Sequence, residues 1–540
     1  MRIILFIAFI LYPQIYAAAG TLHVPSQHPT IQDAIDQALP GDTVRVQAGI
    51  YVENIDFKGK AIRVMSESGP EATVIDGGDP SNPLVASVVR FYNHEGADSV
   101  LEGFTLTNGR GVFIEGVGSL GGGIFCTQCS PTIRNNIIRS NIVTADGGGI
   151  YCGESASMME NNTIDNNTAA MHGGGIACMN GSEPMIVGNT IYQNLAGTIE
   201  GKGWGGGIAC KNSIPLISHN TLFENYALIG GGGIWCKETN PDIRSNLIYA
   251  NESGLRGGGI HIINQCHDVA ITNNIIWLNT SETGGGINYS GSSHKIIANN
   301  TIVENKGLSL GGGFFCDNAS TLTLGNTIFW DNHSPSGPEI WIGGDSAFTA
   351  EYSNCMGGEN SVEVHAGSLT WGSGMIDSDP LFIRPEKGDF HLTHPSPCRD
   401  SGDLNPHEPL LMTDFENDPR AAGALADMGA DEFYTHLYYD DGIVPGGTAN
   451  GYYVGAPQIG PVLLLIGTDT LSDPLVTIYG LFQLAPPWLI TGTLGTIPSN
   501  GILKHTVRIP ITFQAPVDVP LQALVGNQLS NLFILKIGER

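Results

Sequence analysis

The chain has 540 residues, with 24 basic and 52 acidic side chains and a formal net charge of −28. A field of that sign repels nucleic acid and bare uronate polymers, which leaves neutral glycans as the easier partners. No cofactor is required by this reading, and Ca²⁺ would enter only as a bridge between an acidic protein and an acidic glycan.

In chain order, Met1-Arg2, the apolar stretch Ile3 to Leu11 and the small residues Ala17-Ala18-Ala19 read as a secretory signal over residues 1–19, cut before Gly20. No later stretch reaches the roughly 18–20 apolar residues of a spanning helix. The mature chain is therefore expected outside the cell or attached to its surface. Over residues 20–100, His23-Val24-Pro25 to Ala38, Gly41 to Val46 and Gly49 to Ile55 predict a strand, a short helix and further strands. Such a cap shields the open sheet edge that a first coil would otherwise present.

Residues 101–345 are a repeat. Three glycines followed by an apolar residue recur eight times, placing that residue at Ile124, Ile150, Ile176, Ile208, Ile234, Ile260, Ile287 and Phe314, in steps of 26, 26, 32, 26, 26, 27 and 27. A fixed period of this kind marks stacked units that cannot bury their apolar faces alone. After each of the first seven triplets comes an asparagine pair, from Asn136 and Asn141 through Asn162 and Asn167 to Asn300 and Asn305, and before each pair a short apolar segment such as Pro131-Thr132-Ile133. β-Branched residues at period two, punctuated by Gly, Asn and Pro, predict three short strands and three turns per coil and exclude helical repeats.

This pattern resembles the right-handed parallel β-helix of the pectin lyase-like superfamily over roughly residues 21 to 433. In the last coils and closing segment, 346–433, Asp389-Phe390-His391-Leu392, Ser396-Pro397-Cys398, Asp418-Pro419-Arg420 and Gly429-Ala430-Asp431-Glu432 resemble the end of secreted bacterial β-helix proteins of the choice-of-anchor type. Residues 434–540, with short apolar strands between Gly and Pro turns, predict a C-terminal antiparallel β-sandwich.

Within a coil, alternation assigns faces. Cys126, Cys152, Cys178, Cys210, Cys236 and Cys316 each follow the apolar residue by two positions, so they are expected as an interior column of thiols rather than a disulfide framework. The stacked asparagines are expected to bond one another and the turn backbone, and Asn tolerates the left-handed conformation of sharp turns. The column between, Phe125, Tyr151, Ala177, Ala209, Trp235, His261, Asn288 and Phe315, is expected to point outward. Asp146, His172, Trp204, Gly230 and Arg256 precede the triplets, whose glycines are expected to form a floor of bare backbone between two columns. The longest insertion, Leu195 to Trp204, brings Glu200 and Lys202 to the same rim.

Tyr151, Glu200, Lys202, Trp204, Trp235 and His261 are therefore candidate glycan-binding residues, with Asp146, His172 and Arg256 as candidate catalytic ones. The competing reading is that the aromatics stack on rung neighbours and the glycines ease turns. Of the polygalacturonase motifs of this fold only His172-Gly173 matches half of one, and no pair of carboxyls suited to glycoside hydrolysis stands out. The pectinesterase-like Gly49-x-Tyr51-x-Glu53 reaches only the cap. A polysaccharide lyase needs a cation and a base, and Lys211 and Lys237 follow cysteines on adjacent coils. The expected role is extracellular glycan binding or a structural, adhesive one on the cell surface. The alternative is a carbohydrate-active enzyme, a lyase or glycoside hydrolase, working along the glycine-floored face.

Overall fold

The computed structural model describes residues 19–403 except 200, 265, 267–268 and 292–295, then 413–420 and 425–433, and beyond residue 435 the backbone of paired strands. Residues 1–18 of the expected signal lie outside the described residues. Among the described residues no helix is long and apolar enough to cross a membrane.

The chain winds as a parallel β-solenoid whose long sheets hold 14, 12 and 12 strands among the described residues. One coil runs through Thr132–Arg134, Ile137–Arg139, the two-residue Ile142–Val143 and Ile150–Gly153. The two-residue element adds a short fourth strand to the three anticipated, and its equivalents form a seven-stranded accessory sheet. Register does not slip along the triplet strands, where Ile124 opposes Ile150, Ile150 opposes Ile176 and Ile176 opposes Ile208. These residues and the cysteines two positions on are fully buried, so each coil stacks like on like. All ten cysteines are buried free thiols.

At the N-terminal end, helix Ile31–Gln37 covers the first coil. Thr30 accepts from the Asp33 N–H at 3.0 Å, and the Glu53 carboxylate takes the Ile31 and Gln32 N–H groups at 2.9 and 3.0 Å. Glu53 thus satisfies donors that any helix start leaves unpaired.

The asparagines form two ladders. Asn220 donates through both its backbone N–H and its Nδ2 to Asn246 Oδ1, at 2.9 and 3.0 Å, while Nδ2 also donates to the Ile186 carbonyl at 2.8 Å. The second row repeats this through Asn225, Asn251, Asn279, Asn305 and Asn332, where Nδ2 donates to Glu339 Oε2 at 2.6 Å. The left-handed conformation falls one residue earlier than anticipated, on Asn135, Asn161, His219, Ala250 and Leu278, with φ between 52° and 56°. The ladder amide therefore locks the turn, and the residue before it carries the strain.

The glycine triplets are buried, so the anticipated floor of bare backbone is not exposed. Gly173, at φ 64°, turns the chain back over its own strand, and a Cβ there would lie 2.8 Å from Ala177 Cβ. A Cβ on Gly174 would lie 2.6 Å from the Gly206 carbonyl oxygen of the next coil. The glycines mark where coils pass too close for side chains.

The closing segment runs back along the outside of the second long sheet. Phe390 packs edge-on to Trp277 at 5.4 Å, Asn273 Nδ2 donates to the Thr413 carbonyl at 2.8 Å, and His219 meets Asn417 at 3.0 Å. Beyond it, Val462–Ile466 pairs antiparallel with Leu489–Gly495 and Val517–Val525, and His436–Tyr439 with Thr448–Val454. How these sheets face one another, and hence the expected sandwich, lies outside the described residues.

Candidate functional site

The arms leading into the triplets lie over the column anticipated to face outward. His172, Trp204, Gly230, Arg256 and Thr283 are linked rung to rung by parallel bridges. Beneath them Phe125, Tyr151, Trp235 and His261 are 8, 7, 3 and 0 % exposed, so the aromatic column is a second buried stack and not an open groove wall. The cause is the left-handed first glycine of each triplet, which folds the arm back over the strand that follows. Gly230 belongs to this packing, because a Cβ there would stand 2.5 Å from His261 Nδ1 and 3.2 Å from the Trp204 ring.

In register, the column reads Tyr151, Ala177, Ala209, Trp235, His261. Two successive alanines leave a notch between large side chains, at a rung spacing of about 4.8 Å. Trp204 leans over it from the arm, stacked on Trp235 at 5.4 Å and on His261 at 5.6 Å, while His172 meets Trp235 edge-on at 5.2 Å. Beside these rings lies a cavity of about 240 Å³ lined by His172, Gly201, Lys202, Trp204, Lys211, Trp235, Lys237 and Ile263.

The cavity is cationic within an acidic protein. Lys211 and Lys237 stand in register on neighbouring strands, and Lys202 comes from the insertion. Lys237 pairs with Glu238 at 3.4 Å. Among the described residues no carboxylate lies within ion-pair distance of Lys202 or Lys211. Asp146 sits close by, accepting the His172 backbone N–H at 3.1 Å. Burial pushes its carboxyl above the usual range, opposed by His172, Lys211 and Lys202.

Several buried polar atoms here have no hydrogen-bond partner: His172 Nδ1, Trp235 Nε1 and both ring nitrogens of His261. Burial, with Arg256 adding to it, pushes His261 down to about 3, so the ring is neutral in the buried column. Unpaired buried polar groups are costly and therefore uncommon in a native interior.

Of the sequence-derived residues, the structure gathers His172, Lys202, Trp204 and Trp235 around one cavity. Asp146 is their electrostatic neighbour. Tyr151 and His261 belong to the buried column and do not line the cavity, and Glu200 lies outside the described residues. Arg256 is exposed and is not among the lining residues. Asp146, His172 and Arg256 thus do not converge as a catalytic trio. Lys211 and Lys237 were legible only as a repeated position after cysteine, and that shared offset is the signal that they stand side by side.

No curated protein sequence matches the chain. Among solved structures, the crystal structure of pectate lyase Pel9A aligns with 14% identity and a TM-score of 0.46, covering 77% of this chain and 97% of that one. Residues 122–302 match the family model described as right-handed β-helix region. With the three parallel sheets in register, this match identifies the fold as a right-handed parallel β-helix.

Proposed function

We propose that the cavity under Trp204 binds an acidic sugar residue of an extracellular or cell-surface glycan. The observation that carries this is the convergence of Lys202, Lys211 and Lys237 on the stacked Trp204 and Trp235. Three ammonium groups, of which Lys202 and Lys211 have no ion-pair partner among the described residues, favour an anionic ligand, and indole faces favour the apolar faces of a sugar ring. The volume of about 240 Å³ falls just under the roughly 300–1,000 Å³ of drug-sized ligand sites, which suits one ring rather than several. The surrounding negative field disfavours the rest of a polyanionic chain, so the pocket selects isolated or terminal acidic units.

Calorimetric titration with uronate and matched neutral oligosaccharides tests this. Uronate binding that weakens with salt and drops about tenfold in Lys211→Ala is expected. Equal affinity for the neutral set would sink the proposal.

A catalytic reading shares the pocket and is favoured by one observation, that among the described residues Lys211 has no ion-pair partner beside the half-buried Asp146. In β-elimination a base removes the proton α to the uronate carboxyl, a C=C bond forms and the glycosidic C–O bond breaks, the leaving oxygen taking up a proton. Ultraviolet absorbance of an unsaturated uronate product, lost in Lys211→Ala, would establish the enzyme. Binding without product would establish the lectin-like role.

A further inference from the structure

Away from the cavity, the closing segment brings three stretches of chain to one point. His391 lies on strand Asp389–Leu392, Glu416 on the turn after Thr413, and Asp431 on the segment that carries Gly429-Ala430. His391 Nδ1 is 2.6 Å from Asp389 Oδ1, while Nε2 faces Glu416 Oε1 at 3.2 Å and Asp431 Oδ2 at 3.8 Å. Asp431 is 6 % exposed, yet neither of its carboxylate oxygens has a hydrogen-bond partner. A buried carboxylate without a donor is among the costliest groups a protein can hold, unless an ion compensates it.

Neighbouring acids do not relieve it. Asp414 is committed to the backbone, with Oδ1 accepting from Glu416 and Asp418 and Oδ2 from Glu432. Arg420 is spent on Glu432, Asn273 and two carbonyls.

We propose that His391 Nε2, Glu416 and Asp431 hold a divalent transition-metal ion of the Zn²⁺ class. Their ligand atoms all lie within 4.8 Å of one another, and two ligands each about 2.1 Å from one ion stand roughly 3–4 Å apart. Asp389 fixes the ring with Nε2 turned to the site, the outer-shell arrangement that metal-binding histidines use. An imidazole among the ligands favours Zn²⁺ or Mn²⁺ over Ca²⁺, which takes oxygen ligands. The ion fastens three stretches that each also grip the solenoid, through Phe390 on Trp277, Thr413 on Asn273 and Ala430 on Thr301. Its role is to clamp the closing segment against the coils.

Full-length protein stripped with a chelator and titrated with ZnCl₂ in a calorimeter should bind one equivalent at this site and unfold at a higher temperature. Asp431→Asn and His391→Gln should each weaken that binding at least tenfold. If either variant fails to fold, the half-exposed Glu416→Gln replaces it with the same expected loss. Zn²⁺ binding of unchanged affinity in the folded variants, no Zn²⁺ binding at all, or displacement of Zn²⁺ by equimolar Ca²⁺ would each overturn the proposal.

Discussion

Two polar systems run along the same solenoid, and they are built on opposite rules. In the asparagine ladders each buried amide is paired; Asn225, for example, accepts twice from Asn194 and donates to Asn251 and to the Ile191 carbonyl. In the arm and column around Trp204, the buried nitrogens of His172, Trp235 and His261 are left without partners. Saturated networks make a shape rigid, whereas unsatisfied groups hold free energy that a ligand can release. On the proposed reading the difference separates scaffold from recognition within one repeat, a few residues apart.

Substitutions that hit one system and spare the other put that division at risk. Asn225→Ala orphans the Asn194 backbone N–H and the Ile191 carbonyl, and should cost about 3 kcal/mol in urea unfolding while the cavity keeps its affinity. Gly230→Ala forces a methyl against His261 and Trp204. It should cost about 2 kcal/mol and lower sugar affinity as well, because it displaces the cavity lid. Equal effects of both on binding would erase the distinction. Lys211→Ala should lose about 1.4 kcal/mol of ligand binding with thermal stability unchanged.

Ala250 occupies the left-handed position before a ladder asparagine, at φ 52°. Ala250→Gly should therefore stabilise the fold by about 1 kcal/mol, read in the same urea titration. The last effect is read against pH and concerns Glu339, whose carboxyl burial pushes from the ordinary 4.5 up to about 8. A raised acid binds its proton more tightly folded than unfolded, so its contribution is complete below pH 4.5 and declines as pH rises through about 8. Glu339→Gln should flatten stability over that window. An unaltered pH profile in the variant would mean that the Glu339 carboxyl does not carry the pH dependence of stability.

The coil register was legible because Gly triplets, Cys and Asn recur at fixed offsets, each answering a close approach, an interior face or a turn. A further coil was missed at Ile340, which pairs with Phe314, because Pro338 and Glu339 replace two of its three glycines. The exposure of the aromatic column was misread, though not its face. Period two shows that Trp235 and His261 oppose the cysteines, but not that the arm through Trp204 and Gly230 lies over them. That depends on the sign of φ at Gly205 and Gly231, +68° in both, which a glycine adopts as readily as its opposite. The cluster of His391, Glu416 and Asp431 joins residues up to 40 positions apart in an irregular segment, where no period points to it.

The second asparagine row also has a direction. Each rung offers an N–H pair forward and an oxygen backward, so another asparagine coil can be inserted anywhere upstream and find both partners waiting. Glu339 receives the pair from Asn332 and has no side-chain amide to pass on. It terminates the row though not the solenoid, whose strands run on through Ser368–Trp371: a duplicated asparagine coil finds both partners only before residue 339, and an amide restored there would let the row run on.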